Sequence, residues 1–125
     1  MGIKLWLIIA FLGVSSVAGA EEGFATYYTT KSCQSEGNSG LWTASGQRFD
    51  EGEMTCAKRT REWGKVWAVY GHETGKTAYV KNNDYGPGKG PTAKGVIIDL
   101  TPRAFKDVCG ELALGKCRVS VQEVK

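Results

Sequence analysis

The sequence lacks the features by which several large classes of protein are recognised. It has only three prolines and one histidine, and it contains no phosphate-binding loop, dinucleotide-binding fingerprint or CxxC pair. Its glycines do not recur at every third residue, which excludes a collagen-like chain. No cluster of Lys and Arg is interleaved with aromatic residues, and a net charge of +3 is too small to indicate nucleic-acid binding. We therefore expect no cofactor, no metal ion and no nucleic-acid partner.

What the chain does contain indicates one small folded domain. A length of 125 residues allows a single domain, and a hydrophobic content of 42% with 10% aromatic residues excludes wholesale disorder. The 17 glycines are about twice the average share of roughly 7%. Such an excess indicates many tight turns and favours short strands over long helices. No internal repeat or linker divides the chain.

The first twenty residues have the pattern of an export signal. Lys4 is followed by an apolar run over residues 5–14 and then by Ala18-Gly19-Ala20, the small-residue pattern of a cleavage site. The run is about ten residues long, whereas a membrane span needs about 20; a buried N-terminal helix is the alternative. We therefore expect residues 1–20 to be a signal peptide. Residues 21–125 would form a periplasmic or secreted domain with no membrane anchor after cleavage.

Four cysteines lie in the predicted mature chain, namely Cys33, Cys56, Cys109 and Cys117. An even count in a small exported domain predicts two disulfides. Three pairings are possible; we favour Cys109–Cys117, which closes a short local loop, and this leaves Cys33 with Cys56. A zinc site is the weaker alternative, because the single histidine, His72, lies in a turn-like stretch.

Local patterns predict a small β-rich barrel with one clear helix. Short runs of aromatic and β-branched residues predict strands at 23–29, 54–58, 66–70, 77–80, 96–98 and 117–122. Residues 82–87 are rich in turn-forming types, and they predict a turn that ends the fourth strand. Thr101 and Pro102 suit the N-cap and first position of a helix that ends near Gly110. Residues 30–53 predict a long functional loop with Trp42 and Phe49 as apolar anchors.

Four motifs, taken in order, resemble those of a known family. They are GFATYY at 23–28, TASG at 43–46, NDYGP at 83–87 and IDLTPRAF at 98–105. Together they resemble the rare lipoprotein A family of septal-ring lytic transglycosylases, and the catalytic domain of bacterial expansins is also similar. The resemblance covers nearly all of residues 21–125. It implies a mainly β fold: a six-stranded double-psi β-barrel with one or two short helices, and a groove across one face that binds glycan.

The resemblance also implies roles for individual residues. Asp84 matches the aspartate of the D-x-G-P turn, which is the proposed acid/base of the family, and Asp99 matches the groove aspartate of the D-L-[ST] motif. A turn-forming role for Asp84 and a helix-dipole role for Asp99 are the structural alternatives. Thr26 matches the groove threonine of the first strand. Further candidates for contact with substrate, several of which could instead serve core packing, are Tyr28, Trp42, Ser45, Gln47, Lys58, Tyr85 and Gly86.

The chain departs from the family pattern at two positions. Gln47 stands where the lytic family commonly has Glu, and Lys58 stands where it has His. Hydrolysis with inversion needs two carboxyl groups, but lytic cleavage needs only one, because the C6 hydroxyl of the sugar itself attacks C1. Asp84 could therefore serve first as acid and then as base.

Three functions follow from these features as expectations. The first is a monomeric exported domain that binds peptidoglycan or a related cell-wall polysaccharide and cleaves peptidoglycan strands as a lytic transglycosylase. The second is a non-catalytic, expansin-like module that binds or loosens wall polysaccharide. The third is a disulfide-stabilised inhibitor or toxin-like effector, which only the size, the export signal and the cysteines support.

Overall fold

The computed structural model describes residues 20–35 and 42–125, so residues 1–19 of the predicted signal peptide lie outside the described residues. Within these ranges six strands form a closed barrel in the order β1-β5-β2-β4-β3-β6. The strands are β1 (Glu21–Tyr27), β2 (Thr55–Lys58), β3 (Val66–Gly71), β4 (Thr77–Tyr85), β5 (Val96–Leu100) and β6 (Cys117–Val124). Three short helices, α1 (Thr30–Ser35), α2 (Lys89–Ala93) and α3 (Pro102–Cys109), and one 3₁₀ turn (Leu112–Leu114) complete the described part. The predicted fold, a mainly β six-stranded barrel, is confirmed.

The barrel mixes parallel and antiparallel pairs. β1 pairs in parallel with β5, and β2 pairs in parallel with β4, while the other four pairs are antiparallel. Alternate residues point inward, as Ile98 and Leu100 of β5 and Val119 and Val121 of β6 show, because these side chains are fully buried. Phe105 of α3 packs in the same core. The residues between them on each strand face outward, and they include Thr26 of β1 and Asp99 of β5.

Helix α3 begins and ends as the sequence predicts. Thr101 is its N-cap, and the Ala104 N–H donates to Thr101 Oγ1 at 3.3 Å. Pro102 occupies the first turn, and Gly110 ends the helix with a φ of +99°, a conformation that favours glycine. The cap matters for the site because β5, which carries Asp99, runs directly into this helix.

Strand β4 is longer than predicted, and the expected turn at residues 82–87 is wrong. The strand continues to Tyr85, because the fully buried Asn82 side chain forms hydrogen bonds with backbone groups of a neighbouring segment. Its Oδ1 accepts from the Lys58 N–H at 3.2 Å, and its Nδ2 donates to the Thr60 carbonyl at 3.0 Å. A residue type that usually favours turns is thus held in a strand by tertiary hydrogen bonds.

One of the two predicted disulfides is present. Cys109 and Cys117 are bonded, with Cα atoms 5.7 Å apart, which ties the end of α3 to the start of β6. Cys56 is a free thiol that points into the apolar core and is fully buried. The predicted Cys33–Cys56 bridge is therefore wrong for this structure, and the side chain of Cys33 lies outside the described residues. Burial in the core raises the pKa of the Cys56 thiol.

Within the described ranges, no helix is long and apolar enough to cross a membrane.

Candidate functional site

Four adjacent strands bring the motif residues into one row. Thr26 of β1 pairs with Asp99 of β5, Asp99 pairs with Ala57 of β2, and Ala57 pairs with Asp84 of β4. Directly paired residues present their side chains on the same face of a sheet. The two aspartate backbones are separated by one strand and so lie roughly 10 Å apart. Ala57, which lies between the two aspartates, is itself only 3% exposed.

Asp99 is held by its neighbour in this row. Thr26 Oγ1 donates to Asp99 Oδ1 at 3.0 Å, and the carboxylate is half-buried. Asp99 lies between the inward-facing Ile98 and Leu100, and it therefore faces the outside of the barrel. The N-cap of the following helix is supplied by Thr101.

Asp84 is oriented by backbone donors. The N–H groups of Ala44 and Tyr85 both donate to Asp84 Oδ1 at 2.9 Å, and the residue is half-buried. Ala44 belongs to the TASG motif, and this loop is held against β4 by a hydrogen bond from the Ser45 N–H to the Asn83 carbonyl at 3.2 Å. Two motifs that are forty residues apart in sequence thus meet, and together they fix the direction of the carboxylate.

Tyr28 completes the site with a hydroxyl group. Its ring stacks on Phe49 with centroids 4.6 Å apart, so one face of the ring is covered by protein. The hydroxyl is buried beside the Asp84 carboxylate. Burial, followed by the neighbouring carboxylates of Asp84 and Asp99, raises the pKa of this phenol. Tyr28 therefore keeps its proton at neutral pH and is a hydrogen-bond donor.

Lys58 is not brought together with the aspartates. It follows Ala57 on β2 and points to the opposite side of the strand, where Glu21 forms an ion pair with its ammonium. The ammonium also donates to the Ile97 carbonyl at 3.2 Å and lies 4.7 Å from the centre of the Trp67 ring. The contacts of the buried Lys58 side chain therefore lie away from the row, beside a small cleft of about 300 Å³.

The other predicted contact residues lie around the row with different degrees of access. Gln47 is exposed, and Ser45 holds the loop through a hydrogen bond with Thr43 Oγ1 at 2.9 Å. The Trp42 side chain is 57% exposed, so its predicted role as an apolar anchor is wrong. Its backbone forms an isolated bridge with Arg48. Phe49 is buried, and its role as an anchor is confirmed.

Tyr85 and Gly86 lie at the end of the row. Tyr85 is 40% exposed, and the guanidinium groups of Arg59 and Arg61 lie 5.5 Å and 4.5 Å from the centre of its ring. Stacking on a sugar would therefore compete with these two cations. Gly86 is buried against Ala57, and its N–H donates to the Lys58 carbonyl at 3.2 Å.

An open cleft of about 920 Å³ adjoins the row on the β2–β4 face. Two of its residues, Thr55 and Asn83, were missed by the sequence analysis. The only signal for Asn83 was its position next to Asp84 in the NDYGP motif, and Thr55 had none. The cleft is lined by Gln47, Arg48, Asp50, Gly52, Glu53, Met54, Thr55, Lys81, Asn83 and Arg103.

No group of three or more His, Cys, Asp or Glu side chains in the described part of the chain could hold a metal ion. The chemistry available in the row is that of two carboxylates, a threonine hydroxyl and a protonated phenol. Such a set can transfer protons and form hydrogen bonds to hydroxyl-rich ligands.

Comparison with known proteins places this chain in a family. The family model described as lytic transglycolase matches residues 20–121. A probable endolytic peptidoglycan transglycosylase RlpA of Nostoc is 31% identical over 91% of this chain, and one of Treponema pallidum is 32% identical over 95%. The chain spans only 26% and 34% of the length of these two relatives.

Solved structures share the fold at lower identity. A Streptomyces papain inhibitor has a TM-score of 0.62 at 20% identity, and the match covers 87% of this chain and 97% of that one. A mutant Clavibacter michiganensis expansin in complex with cellohexaose has a TM-score of 0.60 at 22% identity, and the match covers 85% of this chain and 50% of that one. With the row of Thr26, Asp99 and Asp84 in place and the family model spanning the barrel, the chain belongs to the rare lipoprotein A-like, double-psi β-barrel family of lytic transglycolases.

Proposed function

We propose that this chain is an exported cell-wall domain, periplasmic or secreted, that binds peptidoglycan and cleaves its glycan strands without hydrolysis. The observation that carries the proposal is the row across β1, β5, β2 and β4, in which Thr26, Asp99 and Asp84 share one outward face. The curated relatives are named as probable endolytic peptidoglycan transglycosylases, and this supports peptidoglycan as the substrate.

Asp84 is the acid/base of the proposed reaction. In its protonated form it donates a proton to the glycosidic oxygen as the bond to C1 breaks. The resulting carboxylate then accepts the proton of the C6 hydroxyl, whose oxygen forms the new bond to C1 and closes a 1,6-anhydro ring. The proton lost by the C6 hydroxyl restores Asp84, so no water is consumed. The two backbone donors on Oδ1 hold the carboxyl group in one direction throughout.

The neighbouring groups stabilise and position the sugar. Asp99, which is held by Thr26, supplies negative charge toward the positive character that develops at C1. The Tyr28 hydroxyl keeps its proton and, buried beside Asp84, can donate to that carboxylate when it is ionised. Both roles use groups that already face the row in the free protein.

Digestion of purified peptidoglycan tests the proposal. We expect the protein to release products with 1,6-anhydromuramic ends, and the Asp84→Asn variant to release fewer than about 1% of them, because an amide cannot exchange the proton. Asp107→Asn, on the exposed face of α3, is the matched control and should retain full activity. Products that persist in Asp84→Asn would overturn the role of Asp84, and the absence of anhydro ends from the unmodified protein would overturn the enzyme.

A non-catalytic, expansin-like role is the second candidate. Its support is the absence of the Glu and His of the lytic pattern: Gln47 is an exposed amide, and the ammonium of Lys58 is held by Glu21 away from the row. This function predicts that the protein sediments with insoluble peptidoglycan, cellulose or chitin and releases no new ends. Sedimentation without cleavage would favour it, and a failure to sediment with any of the three would remove it.

A further inference from the structure

Residues 43–47 form a tight loop whose side-chain hydroxyl groups bond to each other and to the backbone of the loop. Thr43 Oγ1 donates to the Gln47 carbonyl at 2.9 Å and lies 2.9 Å from Ser45 Oγ. The Gln47 N–H donates to Ser45 Oγ at 3.3 Å. These hydrogen bonds form a closed ring, which begins at the N–H of Gln47, passes through Ser45 and Thr43, and returns to the carbonyl of Gln47.

The protons of this ring have one consistent arrangement. A carbonyl oxygen only accepts, so the single proton of the Thr43 hydroxyl is used on Gln47. The Ser45 hydroxyl must then supply the proton between the two side chains, and its oxygen accepts from the Gln47 N–H. The ring therefore uses the proton that Ser45 would have donated to a substrate.

The ring surrounds the backbone N–H that reaches the row. Ala44 lies between the two hydroxyl residues, and its N–H donates to Asp84 Oδ1 at 2.9 Å. The Thr43 N–H donates to the Gln47 carbonyl at 2.8 Å, and the Gly46 N–H donates to the Thr43 carbonyl at 2.9 Å. Thr43 is only 6% exposed, so water has little access to these bonds. The direction of the Ala44 N–H thus depends on the residues on either side of it.

The two backbone donors on Asp84 have different origins. The Tyr85 N–H belongs to the next residue of β4, whereas the Ala44 N–H comes from the loop, 40 residues away in sequence. Both donate to Oδ1, and such hydrogen bonds stabilise negative charge on the oxygen that accepts them. When Asp84 is protonated, the proton therefore resides on Oδ2.

We propose that Thr43 and Ser45 are positioning residues for Asp84: through the ring they hold the Ala44 N–H on Oδ1, and so they leave Oδ2 to exchange the proton in the reaction. Neither side chain contacts the sugar. Without the ring, the carboxyl group of Asp84 turns about its terminal bond, a torsion with a broad energy minimum, and the proton is shared between the two oxygens. The inference rests on the proposed function, because it concerns the acid/base of that reaction.

Substitutions of Thr43 test the ring. Thr43→Val keeps the shape of the side chain but loses the hydroxyl, whereas Thr43→Ser retains it. With soluble peptidoglycan strands as substrate, kcat for the release of 1,6-anhydromuramic ends should fall roughly tenfold in Thr43→Val, the order of effect of one hydrogen bond to a charged group. KM should stay within about twofold, because no contact with the sugar is lost. Thr43→Ser should recover most of kcat.

Ser45→Ala breaks the same ring at another point. It should lower kcat by a similar factor, and the double variant Thr43→Val/Ser45→Ala should lose little more than either single variant, because the two hydroxyls act as one unit. Thr74→Val is the matched control. The Thr74 hydroxyl donates to the Val108 carbonyl at 2.6 Å and holds the β3–β4 hairpin, at the opposite end of β4 from Asp84. Its loss should leave kcat unchanged.

Amide NMR reads the position of the loop without turnover. An amide proton that is bonded to a carboxylate resonates downfield. The Ala44 amide proton should therefore move upfield in Thr43→Val and in Asp84→Asn, and it should not move in Thr74→Val.

Any of three results would overturn the inference. A raised KM at unchanged kcat in Ser45→Ala would make Ser45 a substrate contact. Equal activities of Thr43→Val and Thr43→Ser, or an unmoved Ala44 amide proton in Thr43→Val, would show that the ring does not hold Asp84. Failure of the proposed function looks different: the unmodified protein would release no anhydro ends, while the Ala44 amide proton would still report whether the ring holds the carboxylate.

Discussion

At the scale of single residues, the oxygen atoms without partners mark the site. Five buried side-chain polar atoms in the described chain have no hydrogen-bond partner. Three of them, on Tyr28, Thr55 and Asn83, lie beside the row or in the adjoining cleft. An unpaired buried polar group costs about 1–3 kcal/mol. Three of the five such atoms in the described chain thus lie close to the two carboxylates of the candidate site.

Replacement of Tyr28 by phenylalanine separates stability from function. The hydroxyl is buried beside the Asp84 carboxylate without a short hydrogen bond in the free protein, so its removal should change the free energy of unfolding by less than about 1 kcal/mol. Release of anhydromuramic ends should fall roughly tenfold or more, because a donor beside Asp84 is lost. Urea denaturation and peptidoglycan digestion measure the two effects. A loss of stability above about 2 kcal/mol would show that the hydroxyl is bonded within the folded protein.

Replacement of Thr26 by valine tests how Asp99 is held. The hydroxyl donates to Asp99 Oδ1 at 3.0 Å, and a hydrogen bond to a charged group contributes about 1.5–3 kcal/mol when well buried. Both residues are only partly buried, so we expect a loss of about 1 kcal/mol in the free energy of unfolding. Thr26→Ser retains the donor and should recover most of it. If valine and serine behave alike, the hydrogen bond does not contribute.

At the scale of secondary-structure elements, local sequence patterns predict α3 correctly but not the end of β4. The Thr101-Pro102 start of α3 is readable because capping depends on neighbouring residues. The Asn-Asn-Asp-Tyr segment of β4 predicts a turn, and the strand persists because Asn82 bonds to Lys58 and Thr60 on another segment. Helix α2 was not predicted, because Gly90 and Pro91 are poor helix formers.

The cap of α3 provides a test at this scale. Thr101 is fully buried, accepts from the Ala104 N–H and donates to the Glu53 carbonyl. Thr101→Ala removes both bonds and should lower the free energy of unfolding by about 1–2 kcal/mol, measured by urea denaturation. Thr101→Ser keeps an oxygen at the same position and should lose less than half as much. Equal losses in the two variants would mean that the methyl group, and not the hydroxyl, stabilises this corner.

At the scale of the whole molecule, closure of the barrel determines the state of the cysteines. Cys109 and Cys117 are bonded to each other, whereas Cys56 is a free thiol, and all three are buried in the same core. In Cys33→Ser, the single remaining thiol should therefore not react with Ellman's reagent at pH 8, because Cys56 is inaccessible and its raised pKa keeps it protonated. In urea it should react fully.

Two results would contradict this expectation. Reaction of one thiol equivalent in folded Cys33→Ser would place Cys56 within reach of solvent. A Cys33–Cys56 peptide in the digest of the unmodified protein would show that the second bridge forms after all. Mass spectrometry of the alkylated protein should instead identify Cys109–Cys117 as the bonded pair.

The sequence by itself predicted a small β-rich barrel, the positions of most strands and the cap of α3, because alternation and capping are local properties of the chain. The six-stranded double-psi fold and the candidates Asp84 and Asp99 came from the resemblance of four motifs to a known family. Only the tertiary structure decided which polar groups share a face. The closed barrel pairs Asp99 and Asp84 with Ala57, turns Lys58 away to Glu21, and opens a cleft at Thr55 and Asn83. These outcomes depend on register and on a bulge in β4, which couple residues far apart in sequence.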